Sequence, residues 1–318
     1  MLETDNYEKF KKDILQLAGI DLNSYKEKQM RRRINTLITK NNVKTYNDYV
    51  ALIKKDKEKF DQFINFLTIN VSEFYRNPDQ WKILEGQVFP ELIKKFGKNL
   101  KIWSAACSTG DEPYSLVMAL SRQVPLANIK IIATDIDNQV LDTARMGLYN
   151  EKSIASVPDD LKKKYFTKVG SSYQISDEIK KRVEFKKHDL LKDPYPSGCN
   201  LIVCRNVVIY FTEEAKDVIY QKFHKALQPG GVLFIGSTEQ IMNYRELGFD
   251  RHTSFFFEKN PFFSGWEASG AASFSPALPS PSSFCSSPQF WAALSVQVPA
   301  SFSISASVHS LSFISSLT

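Results

Sequence analysis

The sequence predicts an α/β fold: a Rossmann-like, mostly parallel sheet with a small antiparallel β insertion, preceded by an all-α N-terminal domain. Three observations predict it. Apolar side chains over residues 1–68 recur at helical spacing, with no strand pattern among them. From residue 100 onward, short apolar runs alternate with helix-period segments, as βαβ units do. Residues 101–135 place an apolar run, a turn of small residues, a helix and a second apolar run ending in Asp135 one after another.

Tyr7, Phe10, Ile14 and Leu17 define a first helix, which Gly19 is placed to stop. A second helix over 25–38 carries Met30, Ile34, Leu37 and Ile38 on one side and arginines on the others. Thr45 opens a third, and Phe60, Phe63, Ile64 and Leu67 mark a fourth. Residues 69–99 read as a linker and a helix over 81–95. The sheet domain, 100–260, should hold strands over 100–105, 129–134, 183–188, 200–204 and 231–236. Its helices should cover 112–122, 138–145 and 213–227. Pro229-Gly230-Gly231 reads as the turn into the fifth strand, and 252–258 as one final strand beside it. Residues 147–182 interrupt the alternation. Their short alternating runs at 165–169 and 173–175 predict an antiparallel insertion, since the stretch is too long for a connecting loop.

The longest apolar runs are strand-sized, well short of the ~20 residues that span a bilayer. The polar, acidic start is unlike a signal peptide, so the cytoplasm is the expected compartment. Four cysteines form no C-x-x-C pair and the four histidines are scattered, so neither a disulfide framework nor a metal site is expected. The net charge of +6 is concentrated: 26–44 holds seven basic residues, Arg31, Arg32 and Arg33 among them, against Glu27 alone. Such a run is either a solvated helix face or a docking surface for nucleic acid, lipid headgroups or an acidic protein.

Small side chains at Ala105, Ala106, Ser108 and Gly110 let the backbone approach a ligand. Asp135, ending the second strand, stands where such folds hold ribose hydroxyls. The G-x-G-x-x-G pattern of a pyrophosphate cradle is missing, and Gly110 is the loop's only glycine. These residues therefore point to an adenosyl ligand without phosphates, S-adenosylmethionine. Asn70, Ser72 and Arg76 suit its methionyl carboxylate, with Arg as a clamp and the others as donors. Glu112 opens the following helix, either to complement its dipole or to hold the ligand's ammonium or ribose. Asp189 and Leu190 suit the edge and face of an adenine. Arg205 and Asn206 follow the fourth strand, at the carboxyl end where open sheets bind ligands. The N-P-P-Y or D-P-P-Y turn of base-amino methylases is missing there, and no Ser-His-Asp arrangement stands out.

With these segments in order, the chain resembles the bacterial chemotaxis receptor methyltransferases, the CheR family. Four motifs carry the likeness: Asn70-x-Ser72-x-x-x-Arg76, Ser104-Ala-Ala-Cys-Ser-Thr-Gly-Asp-Glu-Pro-Tyr-Ser115, Ala133-Thr-Asp-Ile-Asp137 and Cys204-Arg-Asn-Val-Val-Ile-Tyr-Phe211. The likeness covers about residues 1–260. It implies a receptor-docking helical domain ahead of a Rossmann-like S-adenosylmethionine-dependent methyltransferase domain, with 69–99 forming a lid over the cofactor. It also implies cofactor contacts at Asn70, Ser72, Arg76, Glu112, Asp135, Asp189, Leu190, Arg205 and Asn206. Ser72 stands where the family commonly has Thr, and Asp111 where it has Glu. The implied reaction is methyl transfer to glutamates on the cytoplasmic helices of membrane chemoreceptors, leaving γ-methyl esters and S-adenosylhomocysteine. Arg205 and Tyr210 are expected to orient the acceptor, and Arg31, Arg32 and Arg33 to dock it. A monomer is expected, with no nucleic acid partner and no membrane insertion. Two alternatives stand beside this reading: an RNA or small-molecule acceptor, and an inactive receptor-binding adaptor.

After residue 260 the composition changes. Residues 261–318 hold 18 serines and six prolines, no Lys or Arg, and Glu267 as the only acid, so they cannot build a core of their own. This tail is expected to be disordered or the product of a reading-frame change. Truncation after about Asn260 should therefore leave folding and cofactor binding intact. A truncated chain that loses binding, or melts far lower, would show that the tail packs on the rest.

Overall fold

Four helices pack at the N-terminus of the computed structural model, which describes residues 6–263. They are α1 (Tyr7–Ala18), α2 (Glu27–Lys40), α3 (Tyr46–Lys55) and α4 (Lys57–Thr68). Local chemistry sets their ends. The Thr45 and Asp56 side chains accept from the backbone N–H of Asp48 and Lys59, capping α3 and α4. Gly19 closes α1 in the left-handed region, where it alone escapes the Cβ penalty. The apolar faces meet around Phe10, Ile14, Ile34, Ile38, Tyr49 and Phe63, all buried.

The connecting segment is helical as α5 (Pro78–Ile83) and α6 (Phe89–Phe96), joined by a single π turn over Leu84–Val88. Pro90 has no N–H to continue the α ladder, and the Phe89 N–H reaches back to the Leu84 carbonyl instead.

β1 (Lys101–Ala105), α7 (Asp111–Leu120), β2 (Lys130–Asp135) and α8 (Asn138–Met146) follow as a βαβα unit. Next come β3 (Leu148–Asn150), α9 (Asp159–Tyr165), β4 (Phe166–Val169), β5 (Ser172–Ile175) and α10 (Asp177–Lys180). The chain continues with β6 (Val183–Lys187), β7 (Cys199–Cys204), α11 (Glu213–Ala226), β8 (Leu227–Ile235), β9 (Phe249–Thr253) and β10 (Phe256–Lys259). The main sheet runs β6-β2-β1-β7-β8-β10-β9. Its first five strands pair in parallel, and β10 is antiparallel to both its neighbours. Alternation along each strand feeds two cores. Ile102, Leu201 and Phe234 pack on the α7 side, whereas Trp103, Ile202 and Leu233 pack on the α11 side.

Three local expectations change. The single strand expected over 252–258 is a hairpin, β9 and β10, because the chain reverses at Ser254-Phe255. Pro229-Gly230-Gly231 lies inside β8 as an irregularity in its register with β7, and is not a turn before the strand. The 147–182 region forms a second sheet, β3-β5-β4, but it also holds α9 and α10, which are too short to show a helical period in the sequence. No described helix is long and apolar enough to cross a membrane. From residue 264 the expectation for the tail falls outside the described residues.

Strand order reverses between β1 and β7, and the crevice outside the carboxyl ends of strands at such a switch point is where open α/β sheets bind ligands.

Candidate functional site

At that crevice lies a cavity between the linker after α4 and the carboxyl ends of the strands. Asn70, Ser72, Arg76, Glu112, Asp135, Asp189, Leu190, Arg205, Asn206 and Tyr210 all line it.

The loop from β1 to α7 forms its floor. Ala106 (φ 63) and Ser108 (φ 48) hold left-handed conformations, which costs energy at residues other than glycine. Gly110 (φ 89) admits no side chain, since a Cβ there would meet Ala144 Cβ at 2.8 Å. The Ser108 N–H donates to Asp135 Oδ2 at 2.8 Å and the Asp137 N–H to Oδ1 at 3.1 Å, so β2's carboxylate braces the loop. Burial pushes the Asp135 carboxyl up to about 6, while these backbone N–H groups pull it back. Each oxygen keeps lone pairs for ribose hydroxyls. The buried Ser108 hydroxyl has no partner within the described residues, as a donor meant for a ligand would. Acceptors, an orphaned hydroxyl and close backbone approach fit an adenosyl group.

The linker after α4 forms a wall, with left-handed turns at Ile69, Tyr75 and Asn77. Its amides are anchored: Phe74 N–H donates to the Ser153 carbonyl and Tyr75 N–H to Ser115 Oγ. Arg205, only 7% exposed, secures it further. One guanidinium nitrogen donates to the Arg76 carbonyl (2.7 Å), Asn77 Oδ1 (3.2 Å) and Gln80 Oε1 (2.7 Å). The other faces Glu112 Oε2 at 3.7 Å. Burial raises the Glu112 carboxyl and Arg205 opposes that shift; Ser104 Oγ donates to its Oε1.

Arg205, expected to orient the acceptor, gives one nitrogen to the linker, while its buried Nε has no partner among the described residues. Other residues read from the sequence have protein partners as well. Asn70 spends its amide hydrogens on Thr68 Oγ1 and Asp137 Oδ2, so its carbonyl, an acceptor, is what remains for a ligand. Arg76 lines the cavity while one of its nitrogens closes the loop on the Val71 carbonyl. Ser72 and Thr109 bring hydroxyls to the buried Asp111 carboxyl and counter the rise that burial causes. Asp189 Oδ1 takes the Leu191 N–H, so that carboxylate arrives pre-oriented beside Leu190.

Arg31, Arg32 and Arg33 lie outside this cavity. Arg33 donates to the Phe66 carbonyl and covers the Phe66 ring at 4.6 Å, and Arg31 lies 5.0 Å from the Tyr7 ring. Only Arg32 of the three is exposed, so the run is partly a structural seam between α2 and α4. A second cleft lined by Lys26, Gln29, Arg32 and Arg33 shares Ile69 and Tyr210 with the cavity. The backbone makes this junction: Lys26 N–H donates to the Tyr210 carbonyl and Thr212 N–H to the Ser24 carbonyl.

Residues 70–254 match the family described as "CheR methyltransferase, SAM binding domain", and residues 5–68 match "CheR methyltransferase, all-alpha domain". The chain belongs to the CheR methyltransferase family. It is 43% identical over 258 residues to a chemotaxis protein methyltransferase of Listeria innocua, across 81% of this chain and 98% of that one. Its similarity to the Listeria monocytogenes protein of the same description has the same identity and extent. A chemotaxis protein methyltransferase of Borreliella burgdorferi is 32% identical, over 72% of this chain and 86% of that one. This CheR protein is thus an S-adenosylmethionine-dependent methyltransferase of chemotaxis, and the residues around Asp135 suit that cofactor.

Sequence reasoning missed two buried acids. Asp137 caps α8 through Oδ1, while its Oδ2 receives Asn65, Thr68 and Asn70. Its only signal was its place in the Ala133–Asp137 motif. Glu239 had none.

Asp135 generates a pH prediction. Its folded value lies above the ~3.9 of an unfolded chain, so its contribution to stability is full below that pH and lost as pH rises through about 6. If Asp135 accepts from ribose hydroxyls, binding runs the other way, because the ionised carboxylate is the better acceptor. Affinity for S-adenosylhomocysteine should fall about tenfold from pH 7 to pH 5, and Asp135→Asn should flatten that dependence. Asp135→Ala should cost about 1.5–3 kcal/mol of binding by calorimetry. Unchanged affinity would remove Asp135 from the ribose.

Proposed function

We propose that this chain methylates glutamate side chains on the cytoplasmic helices of chemoreceptors, forming γ-methyl esters. The observation that carries this reading is the junction of a cation-bearing cleft on α2 with the cofactor cavity, at Ile69 and Tyr210. An acidic helix lying along α2 would have a carboxylate within reach of that junction. The Lys28 and Arg32 side chains, one helical turn apart and exposed, offer complementary charge.

In this reading Asp135 holds the ribose, Asp189 and Leu190 the adenine, Arg76 the methionyl carboxylate, and Glu112 with the Asn70 carbonyl the ammonium. Bound there, S-adenosylmethionine supplies an electrophilic sulfonium methyl. A glutamate carboxylate, with a pKa of about 4.3, is already ionised at neutral pH and needs no base. The protein's work is then alignment and exclusion of water. Tyr210, half-buried at the junction, is placed to orient the entering carboxylate. Arg205 acts one step back, through the linker.

Incubation with methyl-labelled cofactor and receptor-containing membranes should yield label released as methanol by alkali. A stable product would favour an RNA or small-molecule acceptor, and failure to bind cofactor an inactive adaptor. The double reversal Lys28→Glu/Arg32→Glu should lower receptor methylation on the order of tenfold at physiological salt, with cofactor affinity unchanged. Methylation that survives it would make the α2 face merely solvated.

A further inference from the structure

We infer that Glu239 is a positioning residue that holds the cofactor-facing turn after β7 in shape. Its carboxylate is buried at 3% exposure and lies outside the cavity lining. It gathers backbone donors from two segments. Oε1 accepts from Val207 N–H (2.9 Å) and Val208 N–H (3.1 Å), and Oε2 from Gly236 N–H (2.6 Å). One side chain thereby ties the turn leaving β7 to the end of β8.

That turn is under constraint. Asn206 holds φ 60, a left-handed conformation that asparagine tolerates better than most residues. Its Nδ2 donates to Thr238 Oγ1 at 3.0 Å. Its backbone presses against Gly236, where an added Cβ would stand 2.7 Å from Asn206 N and 2.9 Å from its Cγ. The same turn supplies Arg205, Asn206, Val207 and Tyr210 to the cavity wall. Withdrawing a carboxylate from water is costly, and only a full set of well-aimed donors offsets it. Here those donors are the backbone of the turn, so the acid and the turn specify each other. Glu239 touches no ligand position, and its influence on binding runs through where it places residues 205–210.

The inference rests on the cavity being the cofactor site, and two substitutions test it from opposite sides. Glu239→Gln puts an amide NH₂ where a carboxylate oxygen faced an N–H. Gly236→Ala keeps the carboxylate and pushes on Asn206 directly. In folded protein, checked by far-UV circular dichroism, each should raise the calorimetric Kd for S-adenosylhomocysteine about tenfold or more. Each should also raise KM for S-adenosylmethionine more than it lowers kcat. The double variant should bind within about twofold of the weaker single one, because both act on the same turn. A merely stabilising role would lower Tm and leave the affinity of the folded protein alone. Wild-type affinity in either folded variant, or losses that multiply in the double variant, would overturn the inference. If Glu239→Gln does not fold, Gly236→Ala decides. Wild-type protein that fails to bind cofactor would sink the site assignment instead.

Discussion

A single buried guanidinium ties the linker wall of the cofactor cavity to the sheet. Arg205 stands at the end of a strand whose residues are all buried, yet it reaches the linker backbone at Arg76, the Asn77 and Gln80 side chains, and Glu112 on α7. It lies against the Phe234 ring at 4.7 Å. Removing such a charge from water costs several kcal/mol, and losing either member of the Glu112 pair strands the other. The arrangement persists because planar, fork-shaped donors suit several fixed acceptors at once. Arg76 and Asn77, whose carbonyl and side chain it holds, take their place from that anchor.

Acids divide the remaining work. Asp135 braces the small-residue loop and keeps lone pairs for a ribose. Asp137, two residues on, joins α4 and the linker to the start of α8, so the helical bundle and the cofactor loop share one carboxylate at their boundary. Glu239 does the equivalent on the far wall. The cavity is therefore framed by buried carboxylates that spend most of their hydrogen-bonding capacity on backbone, a rigid support of the kind that methyl transfer by alignment requires. The basic helix α2 is joined to this frame at the Tyr210 carbonyl.

Much of this was legible in the sequence, because it depends on local spacing. The helical period of α1 to α4, the βα alternation and the acid closing β2 all follow from residues within one turn or one strand of each other. So did the place of Gly110, whose backbone conformation excludes other residues. What escaped was set by distant partners. Nothing near Arg205 in the chain shows that Gln80, 125 residues earlier, accepts a hydrogen bond from its guanidinium. Nothing beside Arg33 shows that the Phe66 carbonyl claims it for packing, and Asn70 looked like a donor until Thr68 and Asp137 took its amide hydrogens. Pro229-Gly230-Gly231 read as a turn because those residues usually punctuate, yet here they form an irregular stretch within β8.

Arg205 positions this part of the linker before any ligand arrives. Amide hydrogen exchange at Phe74 and Tyr75, whose N–H groups anchor the linker to Ser153 and Ser115, tests it in cofactor-free protein. Arg205→Lys keeps the charge and loses the fork. Exchange at those amides should then accelerate about tenfold or more while the strand amides of β1 and β7 keep their protection. Wild-type exchange at Phe74 and Tyr75 in that variant would mean that Arg205 does not hold the linker.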